Sequence, residues 1–165
     1  MKELYHKIVN EFSKEDVINI FTKEGISQPQ YIDLYSQQDF DETNTELVTK
    51  NNLLIDWTVN HKEKSPIATL VCRLSYGQFH NTSEHGTDDF FLTYIDKVHE
   101  ILKGLETKST GKLSLIDEGF SHDEKSTLNV YLLQYECSYF GRNNTIERIG
   151  TYDKVTLKNE LKYDF

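Results

Sequence analysis

Phe91, Tyr94, Ile95, Val98, Ile101, Leu102 and Leu105 recur at i, i+3, i+4 and i+7. That spacing gathers side chains on one face of a helix with 3.6 residues per turn. A helix from Asp88 to Gly104 with one apolar stripe must lay that stripe on another element, and this constrains the fold more than any other stretch. Thr87 is placed to act as its N-cap, with Asp88 and Asp89 supplying negative charge where the helix dipole favours it. Gly104 supplies the stop. Two strand-like stretches precede the helix and two follow it, so it reads as a β–α–β connector covering one face of a sheet. Lys97, His99, Glu100 and Lys103 fall on its solvent side.

The strands are legible by period two. Leu53, Ile55, Trp57 and Val59 alternate with Asp56, Thr58 and Asn60. After the charged turn His61–Ser65, Pro66 opens a second strand with Ala68, Leu70, Cys72, Leu74 and Tyr76 on one face. These two runs predict a hairpin with one buried face. Leu113 to Ile116 begins a third strand. Leu128 to Phe140 is the longest, and its two partly apolar faces suit a central position. Tyr31 to Leu34 alternates weakly and suits a short edge strand.

The N-terminal region is helical. Leu4, Ile8 and Phe12 share a stripe over Lys2 to Phe12. Ser13 reads as a break and as the N-cap of a second helix, with Asp16 completing a capping-box variant. Val17, Ile20 and Phe21 line that helix and Gly25 ends it. Ser36 to Lys50 is a long acidic loop. The fold class is therefore α/β (α+β): a small, mostly antiparallel sheet of four to five strands, with an N-terminal helix and one long helix packed on it. Residues 1–140 form the domain and residues 141–165 an extended C-terminal arm, too polar to build a core and suited to adding a strand elsewhere.

Charge narrows the function classes. With 27 acidic and 18 basic residues the net charge is -9. That disfavours a protein that reads nucleic acid through a basic stripe. Arg73, Arg142 and Arg148 are the only arginines. Cys72 and Cys137 lie within strands and read as buried free thiols of a reducing compartment, with a cross-strand bridge as the alternative. No apolar run approaches the length of a membrane span. His80 and His85, with Glu84 between them, lack the paired spacing of zinc ligands. His122-Asp123-Glu124 reads as turn chemistry rather than acid–base machinery. Neither a nucleophile elbow nor a phosphate-cradling glycine loop occurs. The residues themselves predict no catalytic, cofactor-binding or metal site.

The order of segments resembles a family. The matching pieces are the Leu4-Tyr5 helix, Tyr31-Ile32-Asp33-Leu34 followed by Gln37, and Leu53-Leu54-Ile55-Asp56-Trp57. They continue with Tyr94-Ile95-Asp96-Lys97-Val98-His99, Leu102-Gly104-Leu105, and His122-Asp123 ahead of Tyr135-Glu136-Cys137-Ser138-Tyr139. Together they resemble the tail-terminator, or tail-completion, proteins of phages and prophages of the Bacteroidetes group. The resemblance spans roughly residues 2 to 140, and the segment after Phe140 is longer than the family pattern.

What the resemblance implies is a structural protein with no enzymatic activity and no cofactor. It would form a ring of identical subunits, commonly six, that caps the head-proximal end of the tail tube. Its partners would be other copies of itself, the tail tube protein, and neck, head-completion or connector proteins. Genomic DNA would only pass through the lumen, and no membrane is involved. The expected location is the virion, at the tail and neck, after synthesis in the host bacterial cytoplasm. Contacts with subunits or tube are expected at Asp39, Asp41, Glu42, Glu46, His80, His85, Arg142, Tyr152, Val155 and Leu157. A different neck component, a small soluble enzyme with an unrecognised site, and a host-side binding module with a peptide-accepting sheet edge stay open as alternatives.

Overall fold

Period-two runs give the chain its sheet, and the helical stripes give it a cover. The computed structural model describes residues 1–38, 47, 49–62, 65–77, 88–121 and 129–141. Among these residues five strands run β1 (Tyr31–Leu34), β2 (Asn52–Asn60), β3 (Ile67–Ser75), β4 (Ser114–Phe120) and β5 (Tyr131–Ser138). The helices are α1 (Lys2–Phe12), α2 (Glu15–Lys23) and α3 (Asp88–Leu102). The spatial order of strands is β1-β2-β3-β5-β4. β2 and β3 form the expected hairpin, with Asn60 opposite Ile67 and Leu53 opposite Leu74.

The sheet is mixed. β1 pairs with β2 in parallel, while the other three pairings are antiparallel. Because β5 is antiparallel to both β3 and β4, those two strands run the same way. The unit β3–α3–β4 is therefore the anticipated β–α–β crossover, with β5 inserted between its strands. β5 is a central strand, as its two-sided apolar pattern indicates. It is shorter than the Leu128–Phe140 reading, and residues 122–128 lie outside the described residues.

One face of the sheet carries the core. Leu4, Ile8 and Phe12 of α1 meet Val17 and Phe21 of α2 and Phe91, Tyr94, Ile95, Val98 and Leu102 of α3. Beneath them lie Leu53, Ile55, Ala68, Leu70, Cys72, Leu74, Leu133 and Tyr135 of the sheet. Each large apolar side chain removed from water in this way contributes about 2 kcal/mol before conformational entropy is subtracted. Tyr94 is fully buried, and its hydroxyl donates to the Asn52 carbonyl at 2.9 Å. That bond ties the middle of α3 to the start of β2.

The structure corrects several details. The α1–α2 break occurs at Ser13, but the residue is not a helix N-cap. Lys14 holds that position without a side-chain bond. The Ser13 hydroxyl instead donates to the Val9 carbonyl at 2.9 Å, closing the end of α1. Ser, four residues after a carbonyl, has both options, and the chain takes the backward one. Gly25 does end the α2 region, with φ +73, and Gly104 sits past α3 with φ +79. α3 stops at Leu102, so Leu105 reaches the core from the following turn. β4 runs to Phe120, beyond the Ile116 of the sequence reading, and an irregularity between Leu115 and Asp117 breaks its alternation.

Cys72 and Cys137 are free and buried. Cys72 lies opposite Leu133, and Cys137 opposite Ala68. The register thus sets the two cysteines four residues out of line, about 13 Å along the strands, too far for a bridge. Burial also raises both thiols above their ordinary ionisation range. Native protein is therefore expected to react very slowly with an aromatic disulfide reagent and to release two equivalents at once in denaturant. Rapid labelling of either thiol in the native state would contradict this placement.

Candidate functional site

None of the ten expected contact residues can be placed. Asp39, Asp41, Glu42, Glu46, His80, His85, Arg142, Tyr152, Val155 and Leu157 all lie outside the described residues, as does the arm beyond Gly141. What the described residues offer is a set of surfaces: two unlike sheet edges, the sheet face opposite the helices, and a cleft at one end.

The first edge is β1. It is held by hydrogen bonds from the Tyr31 and Tyr35 N–H groups to the Asn51 and Ile55 carbonyls. Its outward groups are partly taken. The Leu34 N–H donates to Asp33 Oδ1 at 2.7 Å, and the Gln38 amide donates to the Leu34 carbonyl at 2.6 Å. Gln37, with φ 66, makes the tight turn that brings Gln38 back. An edge whose polar groups are satisfied by side chains is a poor template for another strand. Beside it Val9, Phe12, Ile18, Gln28, Pro29, Gln30 and Ile32 line an uncharged groove of about 550 Å³.

The second edge is β4, seven residues long and bulged. Here too an aspartate guards the backbone, since Asp117 Oδ1 accepts the Glu118 N–H at 3.0 Å. Ile116 and Phe120 are nevertheless 47% and 45% exposed, large for apolar side chains on an edge. Phe120 also touches Phe91 of α3 and Tyr131 of β5.

Between α3 and β5 lies a polar contact missed by the polarity pattern of the helix. His99 was expected at the solvent edge of the helix. It is half-buried instead, with its ring stacked on Tyr135 and its Nδ1 2.9 Å from the Tyr135 hydroxyl. The periodicity could have revealed this, because His99 is i+4 from Ile95 and so borders the buried stripe. Lys97 reaches Glu24 at 3.8 Å and Glu100 at 3.3 Å, exposed pairs that contribute little.

On the face opposite the helices, Leu54, Arg73 and Leu132 form one cross-strand row. The Arg73 guanidinium lies 3.9 Å over the Tyr35 ring, a cation–π contact. Its Nε is buried with no hydrogen-bond partner among the described residues. Asn52 on the same face donates to the Leu47 carbonyl at 2.7 Å, and Leu47 is itself buried. Leu47 therefore lies against one end of this face.

The cleft lies where β2 and β5 end. Trp57, Val59, His61, Tyr139, Ser109 and Glu3 line an open space of about 520 Å³. Ser109 donates to Glu3 Oε2 at 3.0 Å, and His61 packs edge-on against Tyr139.

Desolvation raises the hydroxyls of Tyr94 and Tyr135 and the thiol of Cys72 above their ordinary ranges. In the unfolded chain the thiol ionises near about pH 8.5 and the phenols near about pH 10. The folded state keeps these protons longer, so above those values it binds more protons than the unfolded state. Stability is fully present below them and declines as pH rises. The urea midpoint is expected to be level between about pH 7 and 8 and to fall steadily above about pH 9. A midpoint unchanged to about pH 11 would contradict the burial of these groups.

Among the described residues no group of three or more His, Cys, Asp or Glu could hold a metal ion, and no described helix is long and apolar enough to cross a membrane. No model of a known protein family matches the chain, and no curated protein matches it either.

Proposed function

We propose that this chain is a structural virion protein, a tail terminator whose subunits close into a ring at the head-proximal end of a phage tail tube. The reading rests on the order of segments between residues 2 and 140. It receives physical support from one observation: the two edges of the sheet lie at opposite sides and are chemically unlike. β1 is short, tied by its own side chains and flanked by an uncharged groove, whereas β4 is longer and presents Ile116 and Phe120. Head-to-tail contacts between unlike surfaces generate rings when the rotation closes. A tail tube grows by contacts that do not close, so its end needs a piece that lacks a further copy of the growing surface. The net charge of -9 suits a lumen through which DNA passes without sticking.

On this reading the protein has no catalytic role. Its partners are copies of itself, the tube protein and the neck. The test is tube assembly in the presence and absence of the purified chain. Tubes are expected to stop growing, and to carry the protein at one end only, when it is added. Growth unaffected by the protein, with no bound label at either end, would remove the proposal.

A further inference from the structure

Ile32, Leu53, Leu74, Tyr131 and Phe120 are paired in turn across the sheet, from β1 through β2, β3 and β5 to β4. Directly paired residues share a face. Ile32 and Phe120 are therefore the two ends of one row, at the same height and on the face that the helices cover. Four strand spacings, about 19 Å, separate them, so the two ends cannot meet within one chain.

At the β4 end the row finishes in an apolar projection. Phe120 is 45% exposed, yet its ring is fixed by Tyr131 and Phe91, at centroid distances of 5.0 and 6.0 Å. Leu92 follows Phe91 on α3 and is 50% exposed. Burial raises the Tyr131 hydroxyl above its ordinary range, and the Glu118 and Asp96 carboxylates add to the effect. Asp96 lies one turn on from Leu92, so this side of α3 faces the β4 end of the sheet. A half-exposed aromatic ring that is already held in place is the kind of anchor that carries binding energy.

At the β1 end the row finishes in the uncharged groove of about 550 Å³. Phe12 and Pro29 are buried in it, and Val9, Ile18 and Ile32 are half-buried. Leu34, on the same strand face as Ile32, extends this apolar line and is 43% exposed. A recess of this volume admits more than one apolar side chain.

We propose that Phe120 and Leu92 of one copy of this chain seat in the groove between α1, α2 and β1 of the next copy. Every copy carries both halves of the contact, always at equal concentration. The halves are unlike, so the contact is head-to-tail rather than two-fold. Because they end the same row, the join needs little displacement along the strands, which favours a closed ring over an open spiral. The closing of the ring rests on the function proposed above, whereas the contact stands on the two surfaces.

Phe120→Asp removes the projection, and Ile18→Asp puts a charge into the groove. Circular dichroism checks each fold, and Leu92→Asp or Val9→Asp replaces a variant that does not fold. Light scattering on a sizing column gives the mass. The parent is expected to assemble, and each variant to associate at least about tenfold more weakly. An equimolar mixture of the two variants still contains one intact projection and one intact groove, and is expected to give dimers and nothing larger. A parent that stays monomeric, a mixture that stays monomeric, or a groove variant that assembles like the parent would each overturn the proposal. Tube assembly separates this contact from the proposed function. Parent oligomers lost in both variants, with tube growth unaffected by the parent, would support the contact and remove the tail-terminator reading. Tubes capped equally well by rings of the parent and of both variants would remove the contact alone.

Discussion

Tyr94→Ala is expected to destabilise the fold by about 4 kcal/mol, the upper range for truncating a large buried side chain. The ring is fully buried and packs against Phe21 of α2 and Tyr76 beyond β3, at centroid distances of 6.2 and 5.8 Å. Its loss would leave a cavity where α2, α3 and the sheet meet. Tyr94→Phe separates the ring from the hydroxyl. It fills the cavity but removes the partner of the Asn52 carbonyl, and is expected to lose only about 1–2 kcal/mol. Urea denaturation of the three proteins measures both differences. Near-equal losses for the two variants would mean that the hydrogen bond, rather than packing, holds α3 to β2.

Gly77→Ala is the second large effect. A Cβ at this position would sit 2.5 Å from the Thr49 carbonyl carbon and 2.6 Å from the Lys50 nitrogen. Both obstacles are backbone, so no rotamer change relieves them. The Gly77 N–H also donates to the Asn51 side chain at 3.2 Å, and Asn51 in turn donates to the Ser27 carbonyl at 2.8 Å. Moving the segment aside would break this bridge between the end of the hairpin and the approach to β1. A loss of about 3 kcal/mol is expected from this overpacking. Gly119→Ala, where nothing lies within 4 Å, serves as the contrast and is expected to change stability by less than about 1 kcal/mol. A tolerated Gly77→Ala would show that residues 49–50 do not press on this glycine.

Legibility in the sequence followed the length and regularity of each pattern. α1, α3 and the β2–β3 hairpin were readable because each repeats its period over two or more turns or rungs. The parallel pairing of β1 was not. Four residues with no clean alternation carry no mark of strand direction, which is set by tertiary packing. β4 was cut short for a related reason. Ile116-Asp117-Glu118-Gly119-Phe120 contains two charges, a glycine and the irregularity that shifts its alternation. Ser13 failed because the same hydroxyl can cap forward or bond backward, and composition does not choose. His99 was assigned by its polarity rather than its position on the helix, and its partner Tyr135 is 36 residues away. The stacking of Arg73 on Tyr35 likewise joins distant strands. The expected contact residues were chosen from acidic loops and the C-terminal segment, and all ten fall outside the described residues.

The two unlike edges, and the assembly they would support, make one question decisive. Electron microscopy of the purified chain asks whether subunits join head to tail and close. The proposed function predicts closed rings of uniform subunit number, with a central opening and the β1 and β4 edges at the subunit contacts. A particle that remains a monomer at all concentrations, and never joins tail tubes, would contradict it.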